Sequence, residues 1–243
     1  MIAPAGILRA VRYRAIFFDA GETIVHPRPS FPELFAQVVE HEGHPVEPGA
    51  VVEASRVVLE RFSEAADDRE LWTTSPERSK RFWVSVYERM LDVLALPGGV
   101  ALADRLYATF TNRSNYALFN DVRPALDRLS GDGVVIGLVS NFEAWLEELL
   151  ADLGVRDAFG VRVISGIEGI EKPDSRIYEL ALERAGVAAD ESVFVGDNPE
   201  FDVIPPAELG MFTVLVDRRN RHVDHVGARI VDLAELPALL EAE

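Results

Sequence analysis

With 243 residues, 48% of them hydrophobic, the chain can build one large α/β domain or a core domain with a smaller insert, and it can bury a full apolar core. It contains no cysteine, which excludes disulfides, thiolate metal sites and a sulfur nucleophile. A net charge of -17 argues against nucleic acid or an anionic membrane as partner, because the field repels phosphates wherever no local positive charge offsets it.

The first 13 residues carry Arg9 and Arg12 around a short apolar patch, neither a secretory signal nor a membrane span, so a cytoplasmic protein is expected. Next comes Ala15-Ile16-Phe17-Phe18, an apolar run that ends abruptly at Asp19. Such a run suits a buried parallel strand delivering a carboxylate at its carboxyl end. Ala20-Gly21 lets the chain turn sharply after it.

The pattern then changes to helices. Ser30 and Glu33 form a capping-box signature ahead of helical spacing at Leu34, Phe35, Val38 and Val39. One further helical run is expected near 51–62. Ser75-Pro76 reads as an N-cap with Pro at the first helical position, leading into Phe82, Val86, Met90, Val93 and Leu94 on one face. Pro97-Gly98-Gly99 ends that helix and 100–110 reads as another. No strand is predicted across 27–116.

From Asp121 the text is α/β: a helix at 122–129, a Gly131-Asp132-Gly133 turn, and a strand at 134–139 ending in Ser140-Asn141. A helix at 142–153 follows, then a strand at 161–164, a capped helix at 174–185, a strand at 192–195 ending in Gly196-Asp197, and a strand at 213–216. This alternation predicts a doubly wound parallel sheet, whose ligand site lies beyond the carboxyl ends of the strands. Asp19, Ser140-Asn141 and Asp197 occupy three of those ends. Two neighbouring carboxylates repel unless a cation lies between them, and an all-oxygen donor set suits Mg²⁺ shared with a phosphate. The basic residues are 22 Arg and two Lys, Lys80 and Lys172; a Lys kept in so Arg-rich a chain suggests a need for a compact point charge.

Together these residues resemble the haloacid dehalogenase superfamily. Asp19-Ala20-Gly21-Glu22-Thr23 is similar to its nucleophile loop, the strand ending at Ser140 to its Ser/Thr motif, Glu171-Lys172-Pro173-Asp174 to its Lys motif, and Gly196-Asp197 with Asp202 to its acidic motif. The resemblance implies a Rossmann-like core domain at 1–26 and 117–243 with a smaller all-helical cap at 27–116. It implies Mg²⁺-dependent hydrolysis of a small phosphorylated metabolite through an aspartyl-phosphate. In that scheme Asp19 is the nucleophile, and Asp19, the Gly21 carbonyl and Asp197 hold the metal. Ser140, Asn141 and Lys172 bind the phosphoryl group, while Thr23 and Asp202 support them.

Two features depart from the family pattern. Family phosphatases carry a second Asp, the general acid, where this chain has Gly21, and Ile204-Pro205-Pro206 follows the acidic motif in place of a Gly-Ala helix start. Gly21 keeps other readings open: a 2-haloacid dehalogenase, a phosphonatase using Lys80, or a weakly active module that binds Mg²⁺ or phosphate. Glu22, His26 or a cap residue could supply the missing proton. Lys80 lies among Arg78 and Arg81 and reads as a solvated face. His41 with His44 and His222 with His225 read as surface pairs, and Trp72 and Trp83 as cap core or its closing face. Nothing in the sequence bears on oligomeric state.

Overall fold

The computed structural model describes residues 13–68, 70–130 and 133–242. The expectations for the first 12 residues and for the turn at Gly131-Asp132 lie outside the described residues.

Strand β1 (Ala15–Phe18) leads into a ribbon strand β2 (Val25–Pro27), followed by helices α1 (Phe31–His41), α2 (Pro48–Ala54), α3 (Arg56–Asp67), α4 (Pro76–Val93) and α5 (Gly99–Phe110). Strand β3 (Tyr116–Leu118) returns to pair antiparallel with β2. Then follow α6 (Val122–Leu129), β4 (Val135–Ser140), α7 (Leu146–Asp152), β5 (Val161–Ile164), α8 (Ser165–Glu168), α9 (Ser175–Ala185) and β6 (Ser192–Gly196). A π-helical turn at Pro199–Val203 runs into α10 (Ile204–Glu208), and β7 (Phe212–Val216), β8 (Ala228–Ile230) and α11 (Leu236–Ala242) complete the chain.

Six strands form one parallel sheet in the order β5-β4-β1-β6-β7-β8. The central strands read as unbroken apolar runs because both their faces are covered. Ile16 and Phe18 enter the core beneath α6, α7 and α11, whereas Ala15 and Phe17 enter the opposite one beneath α9. Helices on both faces make this a doubly wound Rossmann-like fold. Helices α1 to α5 close around a separate core that includes Phe35, Phe82, Met90, Leu102 and Leu106. The β2-β3 ribbon gathers the two chain crossings between these cores.

Register explains the position of the site. Phe18 lies opposite both Leu138 and Val195, so the next residue of β1 and the second residue beyond each neighbour reach the same edge. Those residues are Asp19, Ser140 and Asp197.

Several boundaries differ from expectation. The run near 51–62 is two helices meeting at Ser55, whose hydroxyl donates to the Val52 carbonyl at 2.7 Å and competes with helix continuation. The helix expected from 142 starts only at Leu146, so Ser140 does not cap it and 141–145 is free to line a pocket. Ribbon strands β2 and β3 straddle the limits of the predicted helical block, and β8 and α11 had no sequence expectation; each is too short to carry a periodic signal.

Gly137 faces Phe17 across the β1–β4 pair, and a methyl group there would lie 2.4 Å from the Phe17 ring. Gly137→Ala should therefore cost about 1–3 kcal/mol by overpacking, read as a lower denaturation midpoint at unchanged m-value. Unaltered stability would show that the Phe17 ring moves aside freely.

Candidate active site

Asp19 follows β1, and its amide donates to the Val195 carbonyl at 2.9 Å, which fixes the carboxylate at the sheet edge. One oxygen, Oδ1, accepts from Lys172 Nζ at 2.7 Å and from the Ser140 hydroxyl at 3.0 Å. Among the described residues nothing donates to Oδ2, which leaves it available to attack. Lys172 Nζ also donates to Asp202 Oδ1 at 2.6 Å, and Asp202 Oδ2 accepts from the Asn198 amide at 3.0 Å. Asp19, Ser140, Lys172 and Asp202 are all buried. Burial alone would lower the pKa of Lys172, but the two carboxylates outweigh it and raise the value, so the ammonium stays charged.

Asn141 belongs to this cluster through its side chain: Nδ2 donates to the Lys172 carbonyl at 2.8 Å and Oδ1 accepts from the Lys172 amide at 2.7 Å. This two-point clamp fixes the backbone of the Lys loop and orients the ammonium. Gly196 allows the approach of Asp202, since a Cβ there would lie 2.4 Å from the Asp202 carboxyl carbon.

Asp197 stands apart. Its nearest donor is the Thr23 hydroxyl at 3.5 Å, a weak contact. Burial, then the charges of Asp19 and Asp202, push its pKa well up, and Asp202 is raised to about 6, chiefly by burial and against the pull of Lys172.

The haloacid dehalogenase-like hydrolase family model matches residues 13–210. The chain belongs to that family of hydrolases. Haloacid dehalogenase-like hydrolase domain-containing protein 3 of Danio rerio is 29% identical over 244 residues, covering 95% of this chain and 98% of that protein. Phosphoserine phosphatase of Thermus thermophilus is 35% identical over 133 residues, or 53% of each chain. Among solved structures, the putative HAD-hydrolase YfnB of Bacillus subtilis bound to magnesium superposes with a TM-score of 0.74 at 18% identity, over 94% of this chain and 99% of that one.

The hydrolase has a donor set that fits a hard divalent cation. Asp19, Asp197 and Asp202 each offer an oxygen, all within 4.8 Å of one another, and among the described residues the weak Thr23 contact is the only hydrogen bond to the Asp197 carboxylate. Both Asp202 oxygens are already engaged by Lys172 and Asn198, which fits a supporting position better than direct ligation.

A cavity of about 290 Å³ opens over these residues and runs up between the sheet edge and helices α3, α4 and α5. Gly21 lines it, and a Cβ on Gly21 would meet nothing within 4 Å. Glu22 lines it too, but its carboxylate accepts from Arg219 at 2.6 Å. His26 does not line it; the ring packs on Phe119, centroids 4.3 Å apart. Lys80 pairs with Asp104 at 3.0 Å away from the cavity, and none of the four paired His joins the acidic cluster.

Sequence reasoning missed the contacts that join the helical block to the core. Glu171 accepts from the Trp72 amide at 2.7 Å, the Thr73 amide at 2.9 Å and the Thr73 hydroxyl at 2.6 Å. Glu143 accepts from the Ser79 hydroxyl at 2.7 Å and from Tyr107 at 3.1 Å. For Glu171 the signal was its place beside Lys172; Glu143 gave none, because its segment read as helix.

A divalent cation must displace the proton that the raised carboxyls hold. Its affinity should therefore fall as pH is lowered, because burial and the neighbouring Asp19 and Asp202 favour the protonated form of Asp197, by about tenfold per unit for each proton displaced. Mg²⁺ titrations at pH 5 and pH 8 check this, and equal dissociation constants would contradict it.

Proposed function

We propose that this hydrolase is a Mg²⁺-dependent phosphatase of a small phosphorylated metabolite, working through an aspartyl-phosphate on Asp19. The observation that carries the reading is the buried Asp19–Lys172–Asp202 chain beside Asp197, with Asp19 Oδ2 left without a donor. A phosphatase name on a relative and the oxygen-only donor set support it. A 2-haloacid dehalogenase works at carbon without Mg²⁺, so an Asp197 whose charge is left without a strong donor among the described residues counts against that alternative.

Asp19 Oδ2 attacks phosphorus, a P–O bond to the carboxylate forms, and the bond to the substrate's ester oxygen breaks, releasing an alkoxide or phenoxide. Ser140 Oγ and the Asn141 amide hold phosphoryl oxygens, while the Lys172 ammonium offsets charge on them and on Asp19. Water then attacks phosphorus, frees inorganic phosphate and regenerates the Asp19 carboxylate. Mg²⁺, held by Asp19, Asp197 and the Gly21 carbonyl, would reduce the repulsion between the carboxylate and the phosphoryl group. Thr23 and Asp202 support these ligands, and residues 27–116 act as a cap that excludes water from the step. We take the protein to be cytoplasmic, without nucleic-acid or membrane partners, in keeping with its charge; no helix among the described residues is long and apolar enough to cross a membrane.

Asp19→Asn should abolish turnover with little change in melting temperature, and Asp197→Asn should raise the Mg²⁺ concentration needed for half-maximal rate. Full activity of Asp19→Asn in a phosphate-release assay would end the proposal.

The missing general acid has its own consequence. Glu22 is tied to Arg219, so wild type should favour aryl or acyl phosphates over alkyl phosphates, because a positioned acid contributes about 10²–10⁴-fold only for poor leaving groups. Gly21→Asp introduces a side chain into open space and should flatten the dependence on leaving-group pKa. Equal chemical rates for alkyl and aryl phosphates in wild type would mean that another residue supplies the proton.

A further inference from the structure

We propose that the substrate's organic part is an aromatic ring bearing an amine, with the ring held by the cap's aromatic wall and the ammonium by Glu143. The inference rests on the phosphatase reading for the position of the phosphoryl group, and on the cavity itself for the rest. Eleven of the chain's 21 aromatic residues (3 Trp, 5 Tyr, 13 Phe) line this one cavity. Phe62, Trp72, Trp83, Tyr87 and Tyr107 come from the cap helices and the loop before α4, and Phe142 faces them from the core. A dry cavity of about 150 Å³ can hold one benzene ring. The cavity here, at about 290 Å³, has room for a ring and a phosphoryl group.

Charge decides the rest of the ligand. Among the described residues, the cap contributes Ser55, Thr73, Ser79 and Thr111, with tyrosine hydroxyls, as polar lining groups and no charged side chain. A substrate with a second anionic group therefore finds no cation among the described lining residues of the cap. The cations outside the acidic cluster are Arg219 and Arg221, exposed on the core loop after β7, and Arg219 is bound to Glu22. Glu143 is different. Its carboxylate lines the cavity, only two residues beyond Asn141, and receives neutral hydroxyls from Ser79 and Tyr107. Among the described residues no Lys, Arg or His pairs with it. A carboxylate with spare lone pairs, set among ring faces that themselves attract cations, suits an ammonium.

The test reads binding, independently of turnover. Tyramine, 4-ethylphenol and 4-hydroxyphenylacetate share one phenol and differ at the tail: ammonium, neutral, carboxylate. Calorimetric titration of the full chain with Mg²⁺ should give that order of affinity, with tyramine at least about tenfold tighter than 4-hydroxyphenylacetate. In Glu143→Gln, which keeps an acceptor for Ser79 and Tyr107, tyramine's advantage over 4-ethylphenol should be lost. Equal or tighter binding of 4-hydroxyphenylacetate, or no binding of any of the three, would overturn the proposal, as would an undiminished tyramine preference in Glu143→Gln. Phenyl phosphate hydrolysis, measured separately, distinguishes the two failures: turnover without tyramine preference sinks this inference alone, and preference without turnover sinks the phosphatase reading alone.

Discussion

Lys172 is one ammonium set against three carboxylates, and the rest of the active site follows from that imbalance. Its side chain is 3% exposed, and it satisfies Asp19 and Asp202 but makes no hydrogen bond to Asp197. Removing either partner from such a buried pair leaves an uncompensated charge, a loss of about 3–5 kcal/mol. The surrounding structure is built to prevent that. Asn141 grips the Lys172 backbone at two points, Gly196 makes room for Asp202, and the Asn198 amide occupies the oxygen of Asp202 that Lys172 does not reach. The negative charge left over at Asp197 is the property that a divalent cation would satisfy.

The same short loop reaches the helical block. Glu171 immediately precedes Lys172 and accepts three hydrogen bonds from Trp72 and Thr73, at a site where burial raises its pKa. Ser165 links Thr73 onward to the Phe142 amide, in the loop that follows Ser140. A shift of the helical block would therefore be felt at both partners of Asp19: at the Lys172 loop through Glu171, and at the Ser140 loop through Ser165 and Glu143. Helices α1 to α5 have a core of their own, and among the described residues what joins the block to the sheet is these polar contacts, those of Ser63 with Glu200 at 3.1 Å and Arg113 with Asp152 at 2.8 Å, and the aromatic wall.

A separate device secures the loop after Asp19. Arg218 donates to the Thr23 carbonyl at 2.8 Å and to Asp121 at 2.7 Å, and lies 3.9 Å from the centroid of the Phe119 ring. One side chain thus ties the loop after Asp19 to the exit of the β2-β3 ribbon. Asp121 also accepts from the Leu233 amide at 2.8 Å, so the C-terminal segment braces the same point.

Sequence alone carried the sheet and the polar side chains that cluster at its edge, because both depend on local signals. A strand buried on both faces must be apolar throughout, so Ala15–Phe18 and the run ending at Ser140 were legible, and the polar residue ending each run marked the site. Lys172 stood out against 22 Arg. The cavity was decided only by tertiary structure. Trp72, Trp83 and Tyr107 sit at helical spacing or in a loop that reads equally well as core, and Glu143 sits in a segment that reads as helix. Whether an aromatic residue faces its own core or a shared cavity depends on where another layer comes to rest. That is set by contacts such as Glu171 with Thr73, 98 residues apart in the chain, which no local pattern encodes.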